Sequence, residues 1–220
     1  MSTIVLHHLE RSRSTRILWA LEELGLPYEL KTYARDKNMR ADAALKNVHP
    51  LGKAPVVVID GQTLAESGAI LERLVELSDG ALQPATAAGE QDVRYWLHFA
   101  EGTLLPTLLM SLVHATAIAK VPFFMRPLVK GILGAIDGAF TNVEIARNLG
   151  FVEKTLDGRQ WLAGDAFTVA DVQMSYALQA GIRRAPKGKQ YPNIEAYIQR
   201  FEARPAYQKA IELGGHPMPD

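Results

Sequence analysis

The chain has 220 residues, 48% of them hydrophobic and 22% charged, which fits an ordinary globular protein of one large or two small domains. Its 24 basic residues balance 24 acidic ones, so no global field points to nucleic acid or to an anionic membrane. Cysteine is absent, which excludes disulfides, a Cys-x-x-Cys redox centre, a cysteine nucleophile and thiolate metal sites.

The first residues carry neither a basic region nor a long apolar stretch, so no signal peptide is expected and the cytoplasm is the default location. Residues 3–8 read as a short strand, and Ile17, Leu18, Leu21 and Leu24 repeat at helical spacing until Gly25, Leu26 and Pro27 end the helix. Residues 28–33 read as a second strand, and 38–48 as a weak helix or irregular segment. Residues 56–59 and 62–65 form a hairpin around Asp60–Gly61, a pair suited to a type I′ turn. Ile70, Leu71, Leu74 and Leu77 mark the next amphipathic helix. The order β-α-β-α-β-β-α predicts a four-stranded mixed sheet with flanking helices, a thioredoxin-like α/β domain over residues 1–80.

Residues 79–85 are turn-rich and read as a linker, after which 88–214 carry no convincing strand and predict an all-α domain. Two long helices are expected over 89–119 and 122–149, the second interrupted by Pro127, Gly131, Gly134 and Gly138. A further short helix is expected to start at 152–156, and others over 194–201 and 205–213. Thr168 and Asp171 predict a capping box opening another helix, with Phe167 and Val172 placed to staple it. Residues 102–119 carry no charge, long enough for a membrane span, but Thr103, Pro106, Thr107, Ser111, His114 and Thr116 interrupt them. A buried core helix lining an apolar cavity is expected there rather than an integral membrane segment, with peripheral membrane contact left open.

The chemistry concentrates in residues 49–67. Pro55 opens an apolar β run, and a turn there leaves the Ala54 N–H and C=O facing outward for an extended peptide to pair with. Ser67, at a helix start, offers a hydroxyl and free N–H groups to an anion. These point to a small peptide carrying carboxylates. Asp171 is explained by its capping box, and His98 and His114 lack the i,i+4 spacing of a zinc pair, so no metal site is expected. His7 and His8 sit on a strand, one expected to point in and one out. Arg183, Arg184, Lys187 and Lys189 read as a solvated loop around Pro186 and Gly188.

Four segments in this order carry a family resemblance: 12–16 running into 18–29, 47–55, 64–70 and 167–171. Together they make the whole chain similar to the cytosolic glutathione transferases, and Trp19 with Arg35, Asp36 and Arg40 resembles a bacterial and fungal branch using serine or cysteine near the amino terminus. The resemblance implies glutathione as co-substrate, no permanently bound cofactor and a homodimer, with no nucleic-acid partner. It implies Ser12 as the hydroxyl that stabilises the glutathione thiolate, with Ser14 as the rival. A cis Ala54–Pro55 bond would present the Ala54 backbone to the cysteinyl part. Glu66 and Ser67 would hold the γ-glutamyl end, and Lys53, Arg40 and His49 the glycyl carboxylate. Arg16 is expected to form a structural ion pair or bridge the domains. An apolar electrophile would sit against Leu105, Leu108, Met110, Leu112 and His114, with Phe123, Phe124 or Met125. Conjugation to such electrophiles is the expected activity, with hydroperoxide reduction a second one; a non-catalytic glutathione-binding or stress-adaptor protein is the alternative.

Overall fold

The computed structural model describes residues 2–36, 39–84 and 86–218, so Asn38 of the weak segment and Ala85 of the linker lie outside the described residues. Strand β1 (Ile4–Leu9) lies between β2 (Glu29–Tyr33), parallel to it, and β3 (Val56–Ile59), antiparallel; β4 (Gln62–Ala65) completes the order β2-β1-β3-β4. Asp60 and Gly61 take φ of +50° and +81°, the two positive values that a type I′ turn needs, and the Asp60 carboxylate accepts the Thr3 N–H at 2.8 Å. Helix α1 (Thr15–Leu24) buries Ile17, Leu18 and Leu21 and stops where Gly25 adopts the left-handed conformation. The segment before β3 forms a five-residue 3₁₀ helix, Ala43–Asn47, capped by Asp42; Leu45 is its one buried side chain, too little apolar surface to hold a longer helix. Helix α2 (Ser67–Leu77) then packs back on β3, β4 and α1.

Helices α3 (Ala87–Phe99) and α4 (Leu105–Lys120) form one continuous 34-residue rod, with a π-helical turn over Ala100–Leu104. After a 3₁₀ turn at Phe123–Met125 the chain returns through α5 (Arg126–Ile136), a second π turn (Asp137–Thr141) and α6 (Asn142–Thr155). Residues 152–155 end α6 instead of starting a new helix: Gly150 costs about 1 kcal/mol, and the buried stripe of Ile145, Leu149 and Val152 carries the helix through it. The uncharged run in α4 is also not a buried core helix. Leu105 and Leu108 alone are buried there, because α4 rises past the end of the core.

Helix α7 (Val169–Arg183) is the spine of the helical part; α8 (Pro192–Glu202) packs against it and α9 (Pro205–Gly214) against α1, each opened by a proline at its first turn. The Thr168–Asp171 capping box is present. The Asp171 carboxylate, fully buried, accepts the Thr168 N–H at 2.8 Å, the Leu162 N–H at 3.0 Å and the Tyr197 hydroxyl at 2.8 Å.

Trp19 joins the two parts. Its ring meets Phe167, Phe201 and Tyr207 at 5.1–5.5 Å, and its Nε1–H donates to Glu23, which also takes a bidentate bond from Arg204. Gly214, at the end of α9, lies so close to β1 and α1 that an added Cβ would stand 2.8 Å from Leu18 and 2.9 Å from His8. Gly214→Ala is therefore expected to lower the thermal midpoint by several degrees, since overpacking costs about 1–3 kcal/mol; a scanning calorimeter reads this directly.

Candidate active site

A cavity of about 930 Å³ opens between the end of β1, the segment around residues 34–46, the turn before β3 and α7. Ser12, Arg13, Arg35, Arg40, Lys46, Lys53 and Ala54 line it, with Tyr176 from the helical part. Five of these are cationic, against Asp36 and Asp42, so the cavity is matched to an anionic guest. Arg35 is held in place by three carbonyls, those of Glu10, Arg11 and Met39. The Ala54–Pro55 bond is cis, and the Ala54 N–H and C=O have no hydrogen-bond partner among the described residues.

Below the cavity floor runs a chain of short hydrogen bonds. His8 Nε2 lies 2.8 Å from the Gly214 carbonyl, which can only accept, so Nε2 carries the proton. Burial lowers the His8 pKa by more than that bond raises it, which leaves the ring neutral and Nδ1 an acceptor. Ser14 Oγ, 2.8 Å from Nδ1, must then give its only proton to His8. Ser12 Oγ lies 2.8 Å from Ser14 Oγ and donates its proton to the Leu9 carbonyl at 2.8 Å, so that proton must leave the carbonyl to serve a guest in the cavity that Ser12 lines. The two serines thus differ: Ser14 is sealed and its proton committed to His8, and Ser12 lines the cavity.

The neutral buried His8 has a consequence for stability. An unfolded histidine binds a proton as pH falls below about 6.5, whereas the folded one resists it. The unfolded state therefore gains protons first, and stability falls with pH below about 6.5. The midpoint of urea unfolding is expected to drop between pH 7.5 and 5.5, and the drop to shrink in His8→Asn.

A second network joins the sheet unit to the helices. The Arg16 guanidinium is buried at 2% exposure and donates to Glu101 Oε1 at 2.7 Å, Ser67 Oγ at 2.9 Å and the Gln173 carbonyl at 2.7 Å. Arg13 holds the other Glu101 oxygen at 2.9 Å. Burial works to raise the Glu101 carboxyl, but the Arg16 and Arg13 charges and the bonds from Arg16 and Ser67 outweigh it and hold the group below its ordinary value. Glu101 sits in the π turn of Ala100–Leu104, whose extra residue re-aims the side chains of a long helix. Of the two expected roles, a structural ion pair or a bridge, Arg16 makes the ion pair with Glu101 and also reaches the Gln173 carbonyl of α7.

Residues 1–76 match the family described as glutathione S-transferase, N-terminal domain, and residues 139–205 match glutathione S-transferase, C-terminal domain. The chain belongs to the glutathione S-transferase family. It is 39% identical to glutathione S-transferase 3 of Schizosaccharomyces pombe over 95% of this chain and 87% of that protein. Among solved structures, a glutathione S-transferase from Actinobacillus pleuropneumoniae is similar with a TM-score of 0.79 and 34% identity, covering 96% of this chain and 92% of that one. A Burkholderia graminis glutathione transferase with two glutathione molecules bound per subunit is similar with a TM-score of 0.74 and 26% identity, covering 96% of this chain and 88% of that one. The chain is accordingly a glutathione transferase enzyme with the thioredoxin-like and helical parts of that family.

Within this transferase the residues singled out from sequence divide. Ser12, Arg40, Lys53 and Ala54 come together on the cavity, with the buried Pro55 beside them. Ser14 and His49 do not line it; the His49 carbonyl instead accepts the Gly52 N–H at 2.8 Å and closes the turn. Ser67 lies behind the cavity, connected to it through Glu101 and Arg13, and the exposed Glu66 precedes it at φ +71°. None of the proposed electrophile contacts lines the cavity. Leu105 and Leu108 belong to the core, and His114 is bonded to Asp137 at 2.6 Å. Met110, Leu112, Phe123, Phe124 and Met125 are exposed. His7 and His8 alternate across β1 as expected, yet both are buried, since β1 is an interior strand; His7 meets the Tyr33 hydroxyl at 2.8 Å. Lys46, Tyr176 and Glu101 were missed: their spacing along the chain carries no signal that tertiary contact brings them here. Among the described residues no cluster of His, Asp or Glu has the arrangement of a metal site.

Proposed function

We propose that glutathione occupies this cavity and that its sulfur is held as thiolate by the Ser12 hydroxyl. The observation that carries the reading is the meeting, on one cavity, of Ser12, an unpaired Ala54 backbone and a set of cations. Ala54 pairs with the cysteinyl unit as an added strand, and Arg40, Lys46 and Lys53 receive the glycyl carboxylate. Ser67 and the amino terminus of α2 receive the γ-glutamyl carboxylate, and Glu66 the ammonium. The Glu66 backbone supports this role, because a non-glycine residue at φ +71° carries about 1–3 kcal/mol of strain of the kind found at ligand sites.

A free cysteine thiol, pKa about 8.5, is mostly protonated at neutral pH. Lowering it by two units requires about 2.7 kcal/mol of preference for the thiolate. The Ser12 bond and the Arg13 charge act in that direction. The thiolate then attacks an apolar electrophile at the open side of the cavity, where Tyr176, Met39 and Leu51 supply apolar surface; a carbon–sulfur bond forms and the leaving group departs with its electron pair. The same thiolate is competent to open the O–O bond of an organic hydroperoxide, a second glutathione completing the disulfide. The division into a glutathione-binding part over 1–80 and a helical part over 88–214, a homodimer with the first part against the partner's long helices, and a cytoplasmic location belong to the same reading.

Glutathione-affinity capture followed by a conjugation assay with an aryl halide tests it. Capture with turnover is expected; capture without turnover would instead fit a binding or stress-adaptor protein. Glu66→Ala and Ser67→Ala are each expected to weaken glutathione about tenfold or more, as loss of a charge-assisted bond does. Calorimetric affinities unchanged in both would reject the placement of the γ-glutamyl end.

A further inference from the structure

The α4–α5 hairpin ends in a tip that the transferase site does not use. Sixteen residues of α4 carry it about 24 Å beyond the π turn. Phe123 is 80% exposed, Phe124 69% and Leu128 64%, with Met125 beside them; the two phenyl rings pack against each other at 5.8 Å. Such rings are costly to leave in water unless something covers them.

Charge says what that is. Between Glu101 and Asp137 there is no acidic residue, and the three charged side chains are Lys120, Arg126 and Lys130, all at or beside the tip and all exposed. None of the three forms an ion pair among the described residues. In a chain of zero net charge this is a local excess of three positive charges around an apolar knob. A symmetric tip-to-tip contact with a second copy would set these cations against each other; an anionic lipid surface attracts them.

The backbone is also prepared for an apolar medium. Pro122 and Pro127 have no N–H, the Met125 N–H donates to the Pro122 carbonyl, and the Arg126 guanidinium covers the Ala119 and Val121 carbonyls at the end of α4. Few polar groups would be left unmet on shallow entry. The remainder of the rod does not enter, because α3 packs into the protein core through Trp96, Leu97 and Phe99.

We propose that the hairpin tip, Phe123, Phe124 and Leu128 ringed by Lys120, Arg126 and Lys130, docks the protein peripherally on an anionic lipid bilayer. The test is co-sedimentation of the full chain with vesicles of phosphatidylcholine alone or with about 30 mol% phosphatidylglycerol, at low and high salt. Binding to the anionic vesicles is expected, with little to the neutral ones, and release at high salt. Lys120→Gln with Lys130→Gln should weaken it roughly 20- to 30-fold, and Phe123→Ser with Phe124→Ser at least tenfold. Thermal midpoints and sedimentation velocity establish that both variants fold and assemble as the parent does. Equal binding to neutral and anionic vesicles, or none to either, would overturn the proposal. So would a phenylalanine variant that changes the oligomeric state and leaves vesicle binding intact.

Discussion

Ser12→Ala is expected to lower the turnover of glutathione conjugation about 10- to 100-fold near neutral pH, with glutathione affinity largely kept. The magnitude follows from the loss of one hydrogen bond to a charged sulfur, about 1.5–3 kcal/mol. The affinity is spared because the proposed contacts of the Ala54 backbone, the cavity cations and the α2 terminus remain in the variant. Ultraviolet absorbance of the bound thiolate against pH separates this from a structural effect, since the titration midpoint should move upward by one to two units. Ser14→Ala tests the alternative. Its hydroxyl gives its proton to His8 and accepts the Leu9 N–H at 3.1 Å, so its loss should appear mainly as lower stability. A thiolate midpoint that moves in Ser14→Ala and stays in Ser12→Ala would reverse the assignment.

The largest effect on stability is expected at Asp171. Its two oxygens satisfy the Leu162 and Thr168 N–H groups and the Tyr197 hydroxyl inside the helical core. Alanine leaves three buried donors without acceptors, at about 1–3 kcal/mol each, and removes the capping box of the central helix, about 1 kcal/mol more. Asp171→Ala should therefore lose on the order of 4 kcal/mol or more and drop the thermal midpoint by about 10 °C or more. Asp171→Asn keeps one carbonyl oxygen and should recover part of the loss. A calorimetric midpoint unchanged in Asp171→Ala would show that water or rearrangement satisfies those donors. The residue is far in role from the cavity, so activity per folded molecule should survive at permissive temperature.

What could be read from the sequence was local. The Asp60–Gly61 turn, the Gly25 stop of α1 and the Thr168–Asp171 box announce themselves because a few adjacent side chains decide the backbone there. The cis Ala54–Pro55 bond, and the place of Ala54 and Ser12 on one cavity, were legible because the motif around each is short and contiguous. Pairings across the chain were not visible: Arg16 meets Glu101 from 85 residues away, and Tyr176 reaches the cavity only because α7 passes beneath it. Residues 152–156 belong to the preceding helix instead of starting a new one, because the buried stripe of Ile145, Leu149 and Val152 runs on through them. The uncharged run of α4 misled for another reason. Hydrophobicity records what a segment prefers and not what covers it, and here its outer face is left open.

The central claim is that the glutathione sulfur lies against Ser12. A crystal soaked with glutathione measures it most directly. The account predicts the sulfur within hydrogen-bond reach of Ser12 Oγ, with the cysteinyl backbone paired to Ala54. Glutathione bound elsewhere, or in the cavity with its sulfur turned away from Ser12, would contradict it.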